Sequence, residues 1–283
     1  MNKDLGRLDF RDIKVYDEKM SKIFHLLDEG QTEKAKDIII KMLTTPNYFI
    51  REFVGKKLVN YQNKELMDQL ILSFLGHKVY GVRAAVIFYY NLKFNKDPEK
   101  IISLLELCWN DTPWETEHVL HEMWQKYPAI MKKEMMRWAK SEFNKQRTLA
   151  YHGIEAIAGS DPTYITTIIE LNLDSDNLEL QKKITNVLTH AVKGSPAECY
   201  SFIREWLTNP SETRIKTLYI TMKKLVSIAI HNHTNNKSPK NDEFYLLTMQ
   251  SIKDWKADPD KSISSMGEKL VSYVKNPGQR EEN

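Results

Sequence analysis

Apolar residues recur at helical spacing along nearly the whole chain, and from Ile50 onward they do so in a repeating unit. One helix of each unit has apolar residues at relative positions 1, 4, 5, 8 and 9 and a polar residue at position 2. The copies run Ile50–Leu58, Val82–Tyr90, Thr116–Trp124 and Gln146–Ile154. A fifth starts at Leu180 with Ile184, Val187 and Leu188, and a sixth at Ile215 with Leu218, Tyr219 and Met222. The position-2 residues are Arg51, Arg83, Glu117, Arg147, Gln181 and Lys216, at steps of 32, 34, 30, 34 and 35 residues. A step that regular, at helical period, predicts stacked helical hairpins. Each unit also has an outer helix, expected at Lys64–Leu75, Asp97–Cys108, Pro128–Glu142, Asp161–Leu171 and Pro196–Leu207, where aspartate or proline near the start supplies a cap. The predicted fold is all-α, a right-handed α-α superhelix of about six HEAT-like hairpins. The period lies near that of tetratricopeptide repeats, without their small-residue signature, and the V-R-x-A form at Val82–Ala85 is HEAT-like.

The flanks complete the expected layout. The segment up to Tyr16 is charged and reads as a short lead-in helix. Asp17–Asp28 and Thr32–Leu43 follow as amphipathic helices, and Thr44–Asn47 is a breaker. Residues 1–230 form the solenoid and residues 231–243 a polar surface loop. Helices at Glu243–Lys256 and Lys261–Val274 cap the stack within residues 244–275, and residues 276–283 form a disordered tail.

Composition narrows the classes. Only 10 glycines and 10 prolines in 283 residues fit helices better than turn-rich sheets. A net charge of +3 is mildly basic and leaves a polyanion partner open. Cys108 and Cys199 lie in apolar helical contexts and read as buried reduced thiols. With no apolar run of transmembrane length and no signal-peptide pattern, a cytoplasmic monomer without membrane association is expected. No phosphate loop, dinucleotide fingerprint, zincin motif or nucleophile elbow is present, so neither cofactor nor metal is expected. His231 and His233 have ligand-like spacing but no third ligand.

Candidate chemistry gathers at one turn, Trp109–His118, running on to Trp124. It packs two tryptophans, three carboxylates and a histidine, with Asp111 or Thr112 as cap and Pro113 in the first helical position. That mix is either a capped structural corner or a pocket that stacks a planar ligand beside an acid. Glu115 and Glu117 are candidate acids for proton transfer, and equally plain complements to a helix dipole. In a solenoid the second helices line the concave face, so Arg51, Arg83, Arg147 and Lys216, joined by Lys182 and Lys183, would make a cationic track suited to phosphates. The competing reading is an inter-repeat ladder of arginine with acids. Tyr89, Tyr90, Trp109, Trp114, Trp124 and Tyr151 supply aromatics to the central repeats. Trp114, before the apolar series begins, is the best placed for exposure. Interleaved arginine and aromatic residues suit nucleic acid.

Four runs carry a family resemblance: TPWETEHV (112–119), QKYPAIMKKEMMRWAKS (125–141), NKQRTLAYHGIEAI (144–157) and LELQKKITNVLTHAVKGSPAECYSFIREWL (178–207). In order and spacing the stretch from about His77 to Ala191 resembles the HEAT-like alkylpurine DNA glycosylases of the DNA alkylation repair superfamily (the AlkD/AlkC type). The resemblance implies DNA binding, duplex, alkylated or branched, with Trp114 at a base- or backbone-contacting position and Arg147 at a phosphate contact. Tyr151 lies beside them on the same helix series. It also implies possible hydrolysis of the glycosidic bond of N3- or N7-alkylated purines. His118 stands at the catalytic aspartate's position and Asn186 at a second groove tryptophan's, so Glu117, Glu115 and His118 are the candidates for the catalytic role. The alternative is a non-enzymatic protein-interaction scaffold. A continuously positive groove favours DNA, and mixed sign with apolar pockets favours protein.

Overall fold

The computed structural model describes residues 10–109 and 112–276. Residues 1–9 of the expected lead-in, the expected cap Asp111, and residues 277–283 of the expected tail lie outside the described residues. The described residues form fifteen α-helices and no strand, an all-helical repeat fold. No helix among them is long and apolar enough to cross a membrane.

The chain divides into two compact units, residues 1–130 and 131–283. The first holds α1 (Phe10–Asp28), α2 (Thr32–Leu43), α3 (Tyr48–Leu58), α4 (Lys64–Leu72), α5 (Tyr80–Lys93), α6 (Pro98–Cys108) and α7 (Pro113–Lys126). The repeat-bearing helices α3, α5 and α7 pack in succession, α5 on α3 and α7 on α5. Their apolar positions make the core: Ile50, Val54 and Leu58 from α3, and Val82, Val86 and Tyr89 from α5, are buried. α3 and α5 approach so closely that a Cβ on Gly55 would stand 2.6 Å from the Ala85 carbonyl oxygen. The caps are local. The Asn47 side chain accepts from the Phe49 and Ile50 amides, Asn63 accepts from Leu66, and Asp97 accepts from Lys100 ahead of Pro98.

α8 (Pro128–Ala139) begins just before the boundary. The second unit continues with α9 (Asn144–Ile154), α10 (Pro162–Glu170), α11 (Leu178–Gly194), α12 (Pro196–Trp206), α13 (Glu212–Asn235), α14 (Pro239–Lys256) and α15 (Lys261–Lys275). α9, α11 and α13 pack in succession, and α14 and α15 pack on α13 and on each other. Asp161, Asn177 and Ser211 cap α10, α11 and α13.

Two boundaries differ most from the sequence reading. The lead-in and the helix expected from Asp17 are one continuous α1 from Phe10. The expected loop over 231–243 is mostly helix: α13 runs on through Asn235 and α14 starts at Pro239 behind its Ser238 cap. The polar residues there occupy exposed sides of helices and bond within them, as Thr234 does to the Ile230 carbonyl four residues back. His233 pairs with Asp242 at 2.7 Å and stacks on Tyr245. Polarity marked solvent exposure there, not a break in the helix.

Candidate functional site

Four of the six position-2 residues share a structural task. The Arg83 guanidinium donates to the His77 carbonyl at 2.5 Å, Arg147 to Ser141 at 3.2 Å, and the Gln181 amide to Ser175 at 2.8 Å. Arg51 donates to the Thr45 and Pro46 carbonyls at 3.1 and 2.9 Å. In each case a long side chain reaches back across its helix start and satisfies a carbonyl of the preceding connection, usually six residues earlier. A backbone acceptor at these partly buried connections is satisfied by such a partner, which accounts for a long donor recurring at this position. Arg147 also bonds Asn144. Lys216 is exposed and joins no such bond among the described residues.

Arg51 does more. It is 7% exposed, and its Nε and Nη2 donate to Glu115 Oε1 at 3.3 and 2.9 Å. Glu115 is wholly buried, and its second oxygen accepts the Tyr80 hydroxyl at 2.5 Å. Three helices thus close one ion pair: α3 brings the guanidinium, α5 the phenol and α7 the carboxylate. The guanidinium lies 5.8 Å from the Tyr48 ring and 5.4 Å from Tyr80. Gly81 makes the space, since a Cβ there would sit 2.9 Å from Arg51 Cδ and closer still to the Leu43 carbonyl. Burial, then the bond to Glu115 and its charge, push the Tyr80 phenol well above its ordinary value, which keeps it a donor. Tyr48 is also pushed up, by burial first and then by Glu52, Glu115 and Glu122, and its hydroxyl has no hydrogen-bond partner.

His118 lies on the next turn of α7. Its Nε2 is 3.2 Å from Glu122 Oε1 and 3.8 Å from Glu52 Oε1, and its ring packs against Tyr48 and Phe88. Glu122 is the carboxylate the sequence reading passed over. The His118 bond, with Asn91 donating to its other oxygen at 2.8 Å and the nearby Lys56 charge, holds it at about 2 against the effect of burial. The available signal was the His118–Glu122 spacing of one helical turn. Glu52 in turn bonds Lys56 at 2.6 Å. Glu117, the remaining acid of the turn, is half-buried, and Thr112, at the N-cap of α7, donates its hydroxyl back to the Cys108 carbonyl instead of capping.

Of the six candidate aromatics, five are core. Tyr89, Tyr90, Trp109, Trp124 and Tyr151 are buried, and Tyr151 donates to the Ile168 carbonyl at 2.9 Å. Tyr151 is therefore corrected from a groove residue to a core residue. Glu115 is corrected from an available acid to a buried half of an ion pair, and Arg51 from the cationic track to the other half. Trp114 alone is open, at 71% exposure.

Two pockets open beside the repeat-bearing helices. In the first unit, Ile13, Phe49, Phe53 and Leu92 line a groove of about 480 Å³ whose charged rim is paired internally, Lys56 with Glu52 and Lys57 with Asp17. In the second, Leu178 and Ile220 line a pocket of about 390 Å³ between α11 and α13, with Lys182 and Lys216 at its edge. Lys183 instead turns to His152 Nδ1 at 2.9 Å, with Glu155 3.8 Å away. No group of three histidine, cysteine, aspartate or glutamate side chains that could hold a metal ion occurs among the described residues.

No protein family model matches the chain, and no curated protein matches its sequence. Among solved structures it is similar to a designed armadillo repeat protein, at 12% identity over 83% of this chain and 98% of that one, with a TM-score of 0.24. It is also similar to an engineered protein at 12% identity, over 90% of this chain and 96% of that one, with a TM-score of 0.26.

Proposed function

We propose that this chain is a protein-interaction scaffold that holds peptide segments against its repeat-bearing helices. One observation carries the reading. The three arginines of the expected cationic track bond the chain's own connections, while large apolar side chains stand open at the helix starts. Phe49, Trp114, Phe143 and Leu178 are 36%, 71%, 69% and 67% exposed, each within one residue of the start of α3, α7, α9 or α11. Exposed aromatic and aliphatic side chains beside charges of both signs are the makings of a protein interface. Each would bring a favourable transfer of about 25 cal/mol per Å² on being covered.

The test is selection of a random-peptide phage library on the full chain, alongside titration of a duplex oligonucleotide over a salt series. Peptide enrichment is expected, with some clones weakened by Trp114→Ala. Absence of enrichment, together with tight duplex binding that falls steeply with salt, would overturn the reading.

DNA binding of the alkylation-repair type is the second reading. It is favoured by Lys182, Lys216 and Lys224, gathered on the α11–α13 side of the second unit. Base excision draws less support, because the Glu115 charge is met inside the core and His118 stands where the family has its aspartate.

A further inference from the structure

We infer that the α11–α13 pocket is the docking site for an acidic partner segment, one apolar side chain seated between flanking carboxylates. The inference rests on the scaffold reading and names the partner chemistry for one part of that surface.

The pocket's centre is apolar and open: Leu178 is 67% and Ile220 47% exposed. Two such side chains facing one concavity are suited to receiving an apolar anchor. Its edge has one sign. Lys182 and Lys216 line it, both exposed, no carboxylate lines it, and neither lysine forms an ion pair among the described residues. Three other cations of this unit are held by acids: Arg214 pairs with Asp174, Arg204 with Asp258 and Lys132 with Asp161. The Asn186 side-chain oxygen already takes Lys224 Nζ at 2.8 Å. Thr217, 1% exposed, lines the pocket with a hydroxyl that has no hydrogen-bond partner. The site therefore offers donors and positive charge around an apolar floor, and what is missing is an anion joined to a hydrophobic group. A peptide with leucine, isoleucine or phenylalanine between aspartates or glutamates supplies both. A nucleic-acid backbone supplies the charge and leaves Leu178 and Ile220 unmatched.

The experiment takes peptides selected on the full chain and measures each by fluorescence anisotropy against the parent, the double variant Lys182→Glu/Lys216→Glu, and Ile220→Ser. All three positions are exposed, so circular dichroism and the melting curve should match the parent. We expect a class of clones with an apolar residue flanked by acids, whose affinity drops about tenfold or more in the double variant and in Ile220→Ser. Their binding should also weaken as salt rises. Clones of any composition that bind the double variant and Ile220→Ser as well as the parent would overturn this inference and leave the scaffold reading standing. No enrichment at all would overturn both. Duplex DNA binding lost in the double variant but unchanged in Ile220→Ser would hand the lysines to a polyanion and overturn the peptide assignment.

Discussion

The α3–α5–α7 surface of the first unit and the α11–α13 surface of the second use charge in opposite ways. On the first surface the central charges have their partners within the fold. Arg51 meets Glu115, Glu52 meets Lys56, and Glu122 meets His118 and Asn91. On the second, Lys182 and Lys216 flank an open apolar pocket whose lining holds no acid. Each surface has a position-2 cation, Arg51 on one and Lys216 on the other, yet one has closed on itself and the other is left to be matched from outside. Charge count alone does not identify a binding face. What matters is whether each charge is already answered.

The largest effect should come from breaking the closed side. Glu115→Ala strands the Arg51 guanidinium in the core, and denaturant unfolding should report a loss of about 3–5 kcal/mol. Removing both, as Arg51→Met with Glu115→Leu, should recover most of that loss. A Glu115→Ala protein as stable as the parent would mean that the pair is no part of what holds α3, α5 and α7 together.

The same cluster marks where sequence reading stops. The repeat and its helices were legible because their signals are local: apolar spacing, caps and a step of 30 to 35 residues. The exposed place of Trp114 followed from its position before the apolar series. The Arg51–Glu115 pair joins residues 64 apart in sequence through Tyr80 on a helix between, and no local pattern announces it. The position-2 bonds are local, but a helical wheel shows only which way a residue faces. It does not reveal that a long side chain turns back to a carbonyl behind it. The polar stretch from His231 failed in the other direction, because composition was read as a break where the helix only surfaces.

A smaller effect separates the turned-back donors from the free lysine at the same repeat position. Arg83→Ala and Gln181→Ala each remove a bond to a connection carbonyl and should cost about 1 kcal/mol. Lys216→Ala should not. Equal costs at all three would erase the distinction between a latch and an outward-facing residue.

Acid should loosen the first unit through Glu122. Its folded value is lowered from 4.5 to about 2, so its contribution is present above pH 4.5 and fades as pH falls from there towards 2. Glu122→Gln should flatten that part of the stability–pH curve by well under the Glu115 effect, since the pair is partly open to solvent. An unchanged slope in Glu122→Gln would mean that other carboxylates carry the acid sensitivity.

The smallest expected change is the most informative about the open side. Lys182 and Lys216 stand in solvent with no ion-pair partner, so truncating them removes no bond that folding makes. Lys182→Ala and Lys216→Ala should each leave unfolding free energy within about 0.5 kcal/mol of the parent. Slight stabilisation is the favoured sign, because two like charges share one rim and relieving one lowers their repulsion. That gain should shrink as salt rises, whereas the loss from Glu115→Ala should barely respond to salt, being buried. A loss above about 1 kcal/mol in either lysine variant would place these side chains among the fold's own supports and make the two surfaces alike after all.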